Sequence, residues 1–111
     1  MSSFKVWELT PTNHRKSFYR KALVIQDTKS GYTYLQSYST IVCAVNSKGE
    51  FEKYWNDYSA TTMMHINSFC DTMGVKGYSK KEYLALPVSD FPEGYQEVKQ
   101  NNDYKIAACY A

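Results

Sequence analysis

The chain has 111 residues, room for one domain around a single core, with 43% hydrophobic and 22% charged residues. That balance excludes global disorder, and no apolar run approaches the roughly 20 residues that span a bilayer. A formal charge of +2 is too small to imply a polyanion partner by itself.

Phe4 to Leu9 alternates Phe and Val against Trp and Leu and reads as a first strand at an edge. Thr10-Pro11-Thr12-Asn13 then breaks regular structure. His14 to Lys21 follows, basic with Phe18 and Tyr19 inside it. Ala22 to Gln26 is a short β-branched strand. Asp27 to Gly31 is a turn, and Tyr32 to Tyr38 alternates again, so the two form a hairpin. Ser39 to Val45 is a further strand reached through a bend near Ser37 to Ser39. Asn46-Ser47-Lys48-Gly49 turns the chain, with glycine where a positive φ is wanted. Glu50 to Trp55 returns, with Phe51 alternating against Glu50, Glu52 and Lys53.

The long helix is expected from the N-cap Ser59 to about Met73, with Gly74 free to take the left-handed conformation that closes it. At about 100° per residue, Ala60, Met63, Ile66, Phe69, Cys70 and Met73 share one arc, with Thr62 and Asn67 among them. Thr61, Met64, His65, Ser68, Asp71 and Thr72 fall on the other side, so Met64 faces outward among polar residues. Ser79-Lys80-Lys81-Glu82 reads as a capping box, and Pro87 limits this second helix to about two turns. Beyond it, Val88 to Gly94 is loop and Tyr95 to Lys99 is left open. Asn101 to Asp103 is a turn, and Tyr104 to Tyr110 reads as a last strand. The expected fold is α+β within one domain, 1–111: an antiparallel sheet with one long helix packed on one face and a second short helix.

Cys43, Cys70 and Cys109 are widely spaced, odd in number and set among apolar neighbours. They are expected to be buried, reduced thiols in a cytoplasmic protein, and the N-terminus lacks the layout of a secretory signal. Charge is uneven: residues 1–31 carry six basic residues against two acidic, while the remainder carries seven against nine. The basic part is therefore N-terminal. Eleven tyrosines suit sheet faces and interfaces alike, and sheet packing is the commoner use.

The run from Leu35 to Val88 resembles a small family of unknown function found in phages and plasmids, mainly of Gram-positive bacteria. The matching residues are Ser37-Tyr38-Ser39-Thr40-Ile41-Val42, for a strand of form S-Y-x-T-x-V, and Tyr58 to Asn67, for Y-S-A-T-T-M-x-H-I-N with Trp55 ahead of it. A glycine turn and Ser79 to Pro87 then match S-K-K-E-W-x-x-L-P. This chain departs from the pattern twice: the variable place, often basic in relatives, is Met64, and the Trp after K-K-E is Tyr83. The resemblance leaves 1–34 and 89–111 as flanks. It implies a mobile-element origin, a host-cell setting and no settled activity.

His65 is the obvious catalytic temptation, with Ser59, Thr61 and Asp71 on the same helix. Asp71 lies six residues on, about 120° away round the helix, and cannot orient that imidazole locally. No catalytic residue is assigned, and the chain is expected not to be an enzyme. His14, His65 and scattered cysteines lack metal-ligand spacing, and no glycine-rich phosphate loop exists, so neither metal nor cofactor is expected. Structural roles account for Ser59, Ile66 and Asn67, the last expected to satisfy sheet backbone. For Met64 and His65 the structural and functional accounts stand level.

Two surfaces remain. Thr61, Met64, His65, Ser68 and Thr72 form a candidate face for recognising a host protein, and this is the first reading: a non-enzymatic binding module, with inhibition of a host defence or regulatory complex as its narrower form. The alternative is an accessory nucleic-acid-binding protein using Arg15, Lys16, Phe18, Tyr19, Arg20 and Lys21, cations with aromatics that can hold phosphates and stack bases. The plainer account of that segment is a solvated loop with Phe18 and Tyr19 tucked under the sheet. A DNA-reading helix-turn-helix is disfavoured by a short second helix without Arg, Asn or Gln to read base edges. No membrane partner is expected.

Overall fold

The computed structural model describes residues 4–12, 18, 21–92 and 95. Five strands run in chain order across one antiparallel sheet: β1 (Phe4–Glu8), β2 (Ala22–Asp27), β3 (Thr33–Ser37), β4 (Thr40–Val45) and β5 (Phe51–Lys53). Two helices follow, α1 (Ala60–Met73) and α2 (Lys80–Ala85). The expected α+β architecture is therefore the observed one. The expected strand Tyr104 to Tyr110, the turn before it and Cys109 lie outside the described residues.

The local signals act as their chemistry dictates. Ser59 is extended and accepts a bond from the Thr62 backbone N–H at 3.0 Å, and Gly74 closes α1 at φ 72°. At α2, Ser79 Oγ accepts from Glu82 N–H while the Glu82 carboxylate accepts from Ser79 N–H, the reciprocal pair that defines a capping box.

One turn and one ladder carry detail beyond the expectation. Tyr38 and Ser39 alone join β3 to β4, and Tyr38 takes a positive φ of 55°, a strained choice for a side chain of that size. The ladder also slips beside Leu35, which pairs with Cys43 while Gln36 pairs with Ile41, leaving Val42 as an extra residue. Val42 O then accepts from both Tyr54 and Trp55 N–H, so the ladder of β5 ends at Lys53, shorter than the expected Glu50 to Trp55.

Both faces of the sheet are buried. On one side Val24, Leu35, Cys43 and Val45 pack against Met63, Ile66, Phe69 and Cys70 of α1 and against Tyr83 of α2. On the other, Ile25, Tyr34, Ile41 and Ala44 pack with Tyr54 and Tyr95. Tyrosines supply much of this second layer, with Phe91 stacked on Tyr95 at 3.9 Å. Glu52 gathers its polar tips, accepting from Tyr32 Oη at 3.0 Å and from Tyr54 Oη at 2.9 Å. Burial and these neighbours push both phenols above their ordinary range.

Lys53, named from sequence only as one of the polar residues around Phe51, is a buried cation. It is 1% exposed, and its ammonium donates to the carbonyls of Tyr83 and Leu86, each at 2.9 Å. Those carbonyls belong to the C-terminal end of α2, where the helix dipole favours a cation, and the Tyr83 ring lies 4.8 Å below. Burial lowers the lysine pKa. The strand thus ties down the second helix through a side chain.

Candidate functional site

Helix α1 decides where a site can lie, because its two sides are treated differently. The sheet-facing side is closed by polar ties as well as by packing. Ser37 Oγ on β3 lies 2.8 Å from His65 Nδ1 and 3.0 Å from Thr62 Oγ1, and all three residues are buried. Phe18 meets the His65 ring edge-on at 4.6 Å. One turn further, Ser68 Oγ accepts from the backbone N–H of Thr12 at 3.2 Å, with the Thr12 hydroxyl at 3.3 Å. Thr12 and Phe18 therefore lie against this flank of the helix.

That placement corrects the recognition face expected from helical spacing. Of Thr61, Met64, His65, Ser68 and Thr72, His65 is 1% exposed and Ser68 2%. Neither presents a surface to a partner. Helical period gives an angle round the axis; it does not say that Thr12 and Phe18 will cover that angle. Thr61 is half-buried and Thr72 exposed. Only Met64 both lies on the surface and lines a concavity.

The Ser37–His65 contact has the spacing of a nucleophile and its base. Its environment is different: both side chains are enclosed between sheet and helix, and the serine oxygen is shared with Thr62. A substrate carbonyl has no approach to it. The pair acts as a buried polar tie, which fixes the height of α1 over β3. Cys70, weighed as a nucleophile from sequence, is also buried, and burial together with the Asp71 charge pushes its thiol up to about 12. Burial raises Cys43 as well.

The nucleic-acid candidates divide. Arg15, Lys16, Tyr19 and Arg20 lie outside the described residues. Phe18 is 1% exposed and occupied by the core, so its ring is not presented to a base. Lys21 is exposed, with its ammonium 5.8 Å from the Tyr38 ring.

The outer side of α1 carries the main groove, about 600 Å³ in volume. Its floor is one stripe of the helix, Ala60, Met64, Asn67 and Asp71, spaced three or four residues apart and so aligned along the axis. Thr12 and Ser68 bound one side, and Tyr58, Met63 and the segment Gly77 to Lys80 bound the other. That second wall is held in place by Asn67, whose amide donates to Tyr78 O at 3.0 Å and accepts from Tyr78 N–H at 2.8 Å. Asn67 therefore satisfies backbone, but in the turn after α1 and not in the sheet. A Cβ at Gly77 would stand 2.5 Å from Asn67 Oδ1, so a larger residue there would displace the amide that holds this wall.

A second concavity of about 470 Å³ lies beside β5, lined by Glu50, Glu52 and Asp90 among others. Its central acid is already occupied by Tyr32, Tyr54 and Asn46. No group of three or more His, Cys, Asp or Glu residues among the described residues is placed to hold a metal ion. No helix among them is long and apolar enough to cross a membrane.

A family model for DUF8033, a family of unknown function, matches residues 7–85. The chain belongs to that family. No curated protein and no solved structure matches it. The DUF8033 match begins at Trp7, well before the Leu35 at which the motif resemblance starts, so the end of β1 and the stretch before β2 fall inside the match. Every residue lining the main groove, from Thr12 to Lys80, falls inside the match.

Proposed function

We propose that this DUF8033 chain is a non-enzymatic binding module whose main groove receives part of another protein. The observation that carries the reading is Met64. A large flexible apolar side chain sits half-buried on the outward stripe of α1, packed on one side against the core and open on the other to the groove, with Tyr58, Met63 and Tyr78 around it. Methionines and tyrosines together make an adaptable apolar surface with polar edges, suited to protein side chains. The phage or plasmid origin implied by the motif resemblance supports a host protein as the partner, in the host cytoplasm. Interference with a host defence or regulatory complex is the narrower form of the same reading.

The test is site-specific photo-crosslinking in host cells. A benzoyl-phenylalanine at position 64 is expected to capture one protein, and the same group at position 48, on the exposed β4–β5 turn, is expected to capture none. The product should disappear when Tyr58→Ala is added, with the far-UV spectrum and melting temperature showing that the variant is folded. Equal capture from both positions, or none from 64, would sink the proposal. The nucleic-acid alternative would take precedence if oligonucleotides bound tightly near physiological salt and lost that binding when Arg15, Lys16, Arg20 and Lys21 were changed to Ser. Four phosphate contacts would give a log–log salt slope of about −3.6. The loss of Phe18 to the core weakens that alternative, because it removes one of the two rings expected to stack bases.

A further inference from the structure

The groove is not only apolar; it has opposite charges at its two ends. Asp71 lies eleven residues after Ala60 on the floor stripe, roughly 16 Å along the axis at about 1.5 Å per residue. Lys80 stands at the other end, because its ammonium lies 4.6 Å from the ring centroid of Tyr58, which immediately precedes the helix N-cap. Among the described residues the ion pair present is Lys76 with Glu82, which does not line the groove; Asp71 and Lys80 have no ionic partner there.

Both charges sit where the fold does not call for them. A carboxylate in the last turn of a helix meets the negative end of the helix dipole, and α1 has no basic residue in that turn to offset it. Lys80 lies in the first turn of α2, at the positive end of that helix. Between them lies Met64, packed on one side against the core and half-exposed in the groove. Charges set against their helix dipoles with no ionic partner to offset them are the expected mark of a site for something else.

Resting on the binding reading above, we infer that the occupant is a peptide segment of another protein. Its apolar side chain lies on Met63 and Met64, and it carries an acidic residue towards Lys80 and a basic residue towards Asp71. The length of the floor, about 16 Å from Ala60 to Asp71, corresponds to about five residues of extended chain between the two partner charges. The apolar contact supplies most of the affinity, and the charges fix direction and reject reversed sequences.

The experiment is selection of a yeast-displayed library of random peptides about twelve residues long against the wild-type protein and three folded variants: Lys80→Glu, Asp71→Lys and the double reversal. Wild type is expected to enrich sequences with an acid and a base flanking an apolar residue. Each single reversal should weaken a selected peptide about two- to fivefold, in line with a partly exposed ion pair. The double reversal should enrich the opposite sign pattern, which a merely structural role for either residue would not produce. Met64→Asp should weaken every selected peptide about tenfold or more. Peptides that depend on Met64 but show no sign pattern, or no inversion, would overturn this inference and leave the binding reading standing. Failure to enrich any sequence, or peptides indifferent to Met64→Asp, would overturn both. A crosslinked dimer of this chain formed from position 64 would assign the groove to a second copy and overturn the inference as well.

Discussion

The two sides of α1 handle polar side chains in opposite ways. Towards the sheet and the N-terminal stretch, each polar group named has a partner: Thr62 and His65 share Ser37, and Ser68 holds Thr12. Towards the groove, Asn67 is likewise taken up by Tyr78, but Asp71 has no ionic partner among the described residues. On one side, then, polarity and apolarity are explained by folding. On the other, Asp71 and the facing Lys80 oppose the dipoles of their helices without an ionic partner among the described residues, and Met64 is covered on one side only. The difference teaches where to look for a site: among residues whose charge or exposure the fold does not use, more than among those that merely look reactive.

The contrast breaks most decisively if the inner side is not the structural one. Ile66 and Phe69 are both fully buried under α1. Ile66→Ala is expected to cost about 2–5 kcal/mol, from lost transfer energy and the cavity left behind. Chemical denaturation measures it. An unchanged unfolding midpoint would show that the helix does not pack as described, and the groove on its outer side would go with it.

Next in size is the polar tie. Ser37→Ala removes the one hydroxyl that Thr62 and His65 share between β3 and α1. The expected loss is about 1–3 kcal/mol, because buried polar atoms are left short of a partner. A loss no greater than that of an exposed serine such as Ser39 would mean that the tie is not made, and would return His65 to the list of functional candidates.

Much of this fold is legible in the sequence because its signals are local. Ser59 and Gly74 bracket α1, Ser79 and Glu82 cap α2, and Gly49 takes φ 82° in the turn before β5. Each needs only its neighbours within a few residues. Lys53 was not legible, since alternation in a short strand cannot foretell that the last carbonyls of a helix thirty residues on will lie over its ammonium. The same limit applied to His65 and Ser68, which were misplaced on the surface because Thr12 and Phe18, some fifty residues earlier, lie against them. Met64 is placed on the outer stripe by its angle alone, but that angle does not show that one side of it packs against the core. Asp71 and Lys80 were visible as charges, but their relation needs the turn at Gly77 and the Asn67–Tyr78 clamp, both of which are tertiary.

A smaller effect sharpens the comparison at the rim of the groove. Glu82 is held well below its ordinary value of 4.5, at about 2, chiefly by the backbone N–H of Ser79 and then by Lys76. A depressed carboxylate contributes stability that is fully present above its ordinary pKa and is lost as pH falls through the folded value. The contribution of the capping box should therefore fade between about pH 4.5 and pH 2. A carboxyl NMR titration reads it directly. The midpoint should rise only part of the way in Lys76→Ala, since the Ser79 N–H remains. A midpoint near 4.5 in the wild type would show that α2 is uncapped in solution and that Lys80, in its first turn, is not fixed at the end of the groove.

The smallest effect is the most discriminating, because its sign is opposite to that of an ordinary mutation. Asp71→Lys places a cation at the C-terminal end of α1, where the helix dipole is negative and no basic side chain now stands. The site is exposed, so neither packing nor desolvation opposes the change. Stability should rise by about 0.3–1 kcal/mol at low ionic strength, and the gain should shrink as salt screens the dipole. The same substitution is expected to weaken peptides selected on the groove. A variant that is more stable yet binds less well is the pattern of a residue retained for function against the interest of the fold. Loss of stability instead would mean that Asp71 has a structural partner, and the charge argument for the groove would lose one of its two ends.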